Sequence, residues 1–179
     1  MTEVKPLIEN VEKKLREAKF FLNKMIEHER VAFKDKEPFE FYLSAFLSAG
    51  RTVDYRLLHE QKAIYPTWRT AWDATLTQAH QDLIKFMVDE RNVEVHESGS
   101  SHTVGTENRE FEAGTHTLAD GTMYVTGAPG FSQVTIPTPA YYFPIDGIER
   151  KATEACGEYL RLLEQMVADF KASRLSCTG

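Results

Sequence analysis

The sequence predicts a mainly α protein, an up-and-down four-helix bundle with a small β-hairpin insertion between helices three and four. Three observations carry that expectation. Apolar residues recur at three- and four-residue steps over four long stretches, the period of a single helix face. Between the third and fourth stretches, at about 97–143, the period is lost and Gly, Thr, Ser and Pro dominate. The 179 residues, 42% of them apolar, suit one domain (1–179) able to bury its own core. Helices with one apolar face each satisfy one another as a bundle.

The first stretch, "LIENVEKKLREAKFFLNKMIEHERVAF", places Ile8, Val11, Leu15, Ala18, Leu22, Met25 and Ile26 on one face. The second, "EPFEFYLSAFLSAGRTVDYRLLHEQ", has Pro38 where a first helical turn tolerates it, and buries Leu43, Phe46, Gly50, Val53 and Leu57. Its middle is unusually small, with Ser44, Ala45, Ser48, Ala49 and Gly50 close together. A mid-helix glycine costs about 1 kcal/mol relative to alanine, so close approach of another helix is the expected compensation. The third, "TWRTAWDATLTQAHQDLIKFMVDERN", reads as one helix with Thr67 as N-cap and Trp68, Trp72, Leu76, Leu83, Phe86 and Met87 inward.

In the insertion, "THTLADGTMYVTG" reads as a hairpin turning at Asp120-Gly121. "FSQVTIPTPAYYFP" reads as extended, and its three prolines argue against a central strand. The last helix is expected from Asp146, which with Glu149 matches a capping box, and its inward stripe runs Ile148, Ala152, Ala155, Tyr159, Leu162, Met166, Phe170.

Composition narrows the function classes. A formal charge of −6 argues against gripping nucleic acid through bulk electrostatics. The opening "MTEVKPLIEN" lacks the apolar block of a signal peptide, and no apolar run reaches the roughly 20 residues of a membrane span. The two cysteines, Cys156 and Cys177, form no C-x-x-C pattern, so a cytoplasmic protein is expected, with no membrane partner. No phosphate-binding glycine loop and no G-x-S-x-G elbow occurs. His96, His102 and His116 with Glu97 fit no compact metal-ligand spacing, so no metal or other cofactor is expected.

The residues that stand out are Arg91, Asn92 and His96, at the end of the third helix in "DERNVEVHESGS". Arg and His at a helix C-terminus are favoured by the macrodipole and by free carbonyls, which is the structural reading. Asn92 and His96, four apart, share a face, whereas Arg91 and His96, five apart, diverge by roughly 140° on a regular helix. Arg91 continues a line through Ile84 and Met87 at the margin of the buried stripe, where a charge needs a partner. Asp54, on the apolar-to-small stripe of the second helix, is the candidate partner.

"RNVEVHE" has the form R-N-x-x-x-H and follows a helix reading "FYLSAFLSAGRTVDYRL". Together these resemble the HEPN superfamily, small all-helical domains of prokaryotic toxin, defence and RNA-processing systems that carry R-x-x-x-x-H at the end of their third core helix. The resemblance covers about residues 7–96 and 145–172 and leaves the insertion unassigned. It implies metal-independent RNA cleavage by a homodimer that brings two motifs together. Arg91 and His96 would then be catalytic, with Asn92 and Asp54 in support and Arg51, joined by Arg56, supplying positive charge to the substrate. The partners it implies are RNA or a nucleotide and a cognate antitoxin. HEPN-like proteins also include non-catalytic modules that bind nucleotides or proteins and dimerise. The acidic surroundings, Glu94, Glu97, Glu107, Glu110 and Glu112 against Arg91 and Arg109, favour that alternative.

Overall fold

The protein is described from a computed structural model, which places residues 8–31, 35–96, 101–117, 123–126 and 132–176, with side chains at 94–96, 116–117, 123–126 and 175–176 excepted. Among these, five helices accompany a three-stranded sheet and a separate hairpin. The helices are α1 (Glu9–Glu29), α2 (Glu37–Glu60), α3 (Tyr65–Asp73), α4 (Gln78–His96) and α5 (Ala152–Ser176). The strands are β1 (Thr103–Glu112), β2 (Gly114–Thr117), β3 (Met123–Thr126), β4 (Gln133–Ile145) and β5 (Ile148–Lys151). The chain is thus mainly helical with a small sheet. The long helices close a ring of contacts, α1 on α2, α2 on α4, α4 on α5 and α5 on α1.

The stripes read from the sequence are the faces that meet. Val11, Ala18, Leu22 and Met25 of α1, Leu43, Phe46, Val53 and Leu57 of α2, and Ala155, Tyr159, Met166 and Phe170 of α5 are all buried. At Gly50 α5 comes close to α2. A Cβ there would lie 2.9 Å from Tyr159 Cε1, nearer than carbons pack. Pro38 sits in the first turn of α2, as expected.

The third helix is two helices. α3 begins at Tyr65, so Pro66 lies within its first turn and Thr67 is not the cap. The chain then leaves the helix at 74–77. The break is satisfied by polar side chains that bond the backbone groups it frees. Thr75 donates to the Trp72 carbonyl at 2.7 Å, Thr77 Oγ1 accepts from the His80 amide at 3.3 Å, and Gln81 reaches back to the carbonyls of Asp73 and Leu76. Trp72 is buried and its indole N–H donates to Asp169 at 2.9 Å; Trp68 lies edge-on to Phe170. The tryptophans are core, pinned to α5.

The end of the insertion departs from the sequence reading. Asp146 and Gly147 do not cap a helix; they have φ of 52° and 75° and form the two-residue turn of the β4–β5 hairpin. Ile148, expected inward, is therefore 66% exposed, and the helix starts at Ala152.

The sheet order is β1-β4-β5, which makes the proline-bearing β4 the central strand. Consecutive residues of an antiparallel strand turn their N–H groups to opposite neighbours, and the tight turn closes on the pair Ile145–Ile148. Odd-numbered residues of β4 therefore face the β5 side and even-numbered ones the β1 side. Pro137 and Pro139 face the β5 side where β5, which pairs only with 142–145, is absent. Pro144 faces the β1 side beyond Thr103, where β1 has not begun. Each proline sits where no neighbour asks for its N–H, and the rule against central prolines is satisfied locally. β2 and β3 pair as the expected hairpin, and its Asp120-Gly121 turn lies outside the described residues.

A polar junction fixes the sheet to the helices. Glu29, where the α1 stripe ends, is buried, accepts from Thr153 Oγ1 at 3.0 Å and lies 3.6 Å from Arg109 and 3.8 Å from Lys151. Arg109 also donates to the Glu29 carbonyl. Glu107 accepts from Lys151 at 2.9 Å, Tyr142 at 2.7 Å and Arg109 at 3.0 Å. Those bonds, Lys151 first and then Tyr142, hold its carboxyl down to about 2. Beside them Phe39 stacks on Tyr141 at 3.6 Å and Phe86 meets Phe143 edge-on.

Candidate functional site

The motif residues occupy the last turns of α4. Leu83 and Met87 are buried, and the stripe continues one turn further to Glu90, which is also buried. Glu90 accepts from both the amide and the hydroxyl of Ser101, so the chain that re-enters after α4 is tied to the residue just before the motif. Sequence reasoning passed over Glu90, although its spacing after Leu83 and Met87 was the available signal.

Arg91 follows, half-buried, with Asn92 exposed beside it. The Asn92 side-chain oxygen is 3.5 Å from Arg91 Nη1, and Arg91 Nε is buried with no hydrogen-bond partner among the described residues. Arg56 and Arg69 also bury an Nε without a hydrogen bond, so what sets Arg91 apart is the lack of a carboxylate. The other half-buried arginines are all matched to carboxylates: Arg51 to Asp54, Arg56 to Glu60, Arg69 to Asp54 and Asp73, Arg109 to Glu29 and Glu107, Arg150 to Glu158. Arg91 has no such carboxylate among the described residues. His96 is the last residue of α4; its backbone stands five positions from Arg91, and its side chain lies outside the described residues.

The expected Asp54–Arg91 pair is not formed. Asp54 holds Arg51 at 2.9 Å and Arg69 at 3.4 Å and accepts from the Tyr65 hydroxyl. Burial, then the Asp54 charge, raises the Tyr65 phenol well above its usual range. The reason is distance along the fold. His102 lies 3.8 Å from Glu40 and Ser101 on Glu90, so the end of α4 sits beside the start of α2. Asp54 is fourteen residues further along α2, about 21 Å at 1.5 Å per residue. Arg51, expected to meet the substrate, lies with it and is already bonded to a carboxylate. The structure thus brings Arg91 to Asn92 and Arg51 to Asp54, as two separate groups.

Of the histidines considered for a metal, His102 lies at the head of β1 near Glu40, while the side chains of His96 and His116, and all of Glu97, are outside the described residues. Among the described residues no three His, Cys, Asp or Glu side chains come together as a metal site. Cys156 is buried, and burial pushes its thiol up, which suits packing rather than nucleophilic attack. No described helix is long and apolar enough to cross a membrane. No protein-family model, no curated protein and no solved structure matches the chain.

Proposed function

We propose that the chain is a HEPN-like helical protein whose α4 terminus cleaves RNA without a metal ion, working as a homodimer in a toxin or defence setting with a cognate antitoxin. The observation that carries this reading is Arg91, the half-buried arginine to which the described residues offer no carboxylate. A guanidinium left in that state is suited to a phosphate, whose oxygens it can hold in bidentate fashion while charge builds on them. Asn92, against the guanidinium, steadies it or donates to a phosphate oxygen. His96 takes the proton from a ribose 2′-hydroxyl as its oxygen attacks the adjacent phosphorus, because an imidazole titrates near the working pH. The P–O5′ bond breaks and the departing O5′ takes up a proton from water, giving a 2′,3′-cyclic phosphate and a 5′-hydroxyl. Incubating structured RNA with wild type, Arg91→Ala and His96→Ala in chelator tests it. Cleavage by the wild type alone is expected; equal cleavage by all three, or none by the wild type, contradicts it.

A second reading, a non-catalytic HEPN-like module that binds a nucleotide or a protein, rests on the charge arrangement. Arg51 and Arg56, the basic residues available on α2, are bonded to Asp54 and Glu60, leaving little free positive charge to draw in a polyanion. Nucleotide binding without turnover, abolished in Arg91→Ala, is its signature.

A further inference from the structure

The two outer sides of the three-stranded sheet are treated differently. β4, where β5 does not cover it, turns the nitrogens of Pro137 and Pro139 outward, so a new strand would find missing donors there. β1 is the other edge. It is ten residues long, contains no proline or lysine, and pairs with β4 alone. By the same register its even-numbered residues point their backbone groups outward. Among the described residues, Val104, Thr106, Asn108 and Glu110 have no backbone partner on that side, and all four are exposed. One edge is closed by chemistry and the other is left open by the described residues along about 34 Å.

We propose that β1 pairs antiparallel with β1 of a second copy of this chain, joining two three-stranded sheets into one of six. The sequence of β1 selects the occupant. In a two-fold pairing centred on Asn108, Glu107 lies directly opposite the partner's Arg109, and Arg109 opposite the partner's Glu107. Thr106 then meets Glu110, Asn108 meets Asn108, and no two like charges face each other. Centring on Glu107, Arg109 or Glu110 sets like charges opposite one another, which opposes pairing, and centring on Thr106 shortens the overlap. The same centring puts the outward-facing residues opposite one another, as hydrogen-bonded pairs require. Glu107 and Arg109, already bonded to each other and to Lys151 and Glu29 within the chain, fall in the closely spaced pairs, so the pairing continues that alternation of charge across the dyad without setting like charges together. The contact leaves the two α4 ends about 34 Å apart along the strands, so it neither needs nor supplies the nuclease reading, and the two stand or fall separately.

Sedimentation equilibrium of the full chain across a micromolar concentration series tests the proposal. The wild type is expected at twice its 20.4 kDa chain mass through β1 alone, and at four times the chain mass where the motif-to-motif homodimer forms as well. Asn108→Pro removes an outward N–H directly opposite Pro137, and is expected at half the wild-type mass with its circular dichroism unchanged. A second variant guards against misfolding. Asn108→Cys brings two thiols onto the dyad with Cα atoms about 5.5 Å apart, within disulfide range, and should form a covalent dimer on oxidation. Thr135→Cys, on the proline-bearing side, should not. A monomeric wild type, including one that instead takes up a foreign peptide along β1, overturns the proposal. So does a wild-type mass that Asn108→Pro leaves unchanged, or a chain in which Thr135→Cys crosslinks as readily as Asn108→Cys.

Discussion

Two glycines in helix interiors offer the same substitution with opposite expected signs. Replacing a helical glycine with alanine stabilises by about 0.5–1 kcal/mol, because it restricts the unfolded chain. At Gly157 of α5 the nearest atom to a new Cβ is Leu22 Cδ2 at 3.9 Å, an ordinary contact. Gly157→Ala should therefore keep the full gain and raise the melting temperature by a few degrees, roughly 2–4 °C per kcal/mol at this chain length. At Gly50 the new Cβ would stand 2.9 Å from Tyr159 Cε1, about 0.6 Å inside normal carbon contact. The Tyr159 ring is 2% exposed and set edge-on to Phe46, so it has nowhere to retreat. Overpacking of this kind costs about 1–3 kcal/mol. The helical gain is common to both sites, so the difference between the variants isolates the overpacking, about 1–3 kcal/mol in favour of Gly157→Ala. Urea and thermal unfolding of the two variants beside wild type measure it. Equal stabilisation at both positions would refute the close α2–α5 approach at Gly50.

Other consequences concern charge and turn geometry. Asp54→Asn and Tyr65→Phe, combined in a double-mutant cycle, should couple by about 1 kcal/mol or more, whereas Asp54→Asn and Arg91→Ala should add within about 0.5 kcal/mol, since they share no partner. Glu107 titrates at about 2 in the folded protein instead of its ordinary 4.5, so its contribution is present above pH 4.5 and lost as pH falls towards 2. Glu107→Gln should flatten acid unfolding in that window, by about 1 kcal/mol after solvent screening, as pH-dependent urea midpoints will show. Asp146→Val, at φ 52°, should cost about 1–2 kcal/mol in thermal unfolding while Asp146→Gly costs little, and equal losses would contradict the left-handed turn.

The helices were legible because burial writes a period into the sequence. Leu43, Phe46, Val53 and Leu57 could be placed inward from spacing alone, and Gly50 announced close approach before its partner was known. What spacing could not show was where a continuous period is cut. Thr75, Thr77 and Gln81 end one helix and start another while the apolar stripe runs on across them. Asp146 with Glu149 satisfies a cap motif, yet Asp146 opens a two-residue turn and Glu149 lies in β5 opposite Pro144; only the pairing of β4 with β5 decides between the two readings. The prolines of β4 misled for a related reason, since a rule stated for whole strands applies residue by residue, and neighbours of unequal length leave gaps. At the candidate site, Arg91 and Asn92 were found by motif, but Asp54 was matched to Arg91 on the rule that buried charges pair. The rule held and the partner was different: Asp54 is paired, to groups about 21 Å along α2 from the motif's end of the molecule.

The central claim, that the α4 terminus carries out attack by a ribose hydroxyl on phosphorus, is tested most directly by the ends of the products. RNA and its 2′-O-methyl counterpart should be incubated with the protein in chelator and the fragment termini determined. The account predicts 2′,3′-cyclic phosphate and 5′-hydroxyl ends from RNA, no cleavage of the methylated strand, and loss of both termini in Arg91→Ala. Cleavage of the methylated strand, fragments ending in 5′-phosphate, or full activity in Arg91→Ala would contradict it.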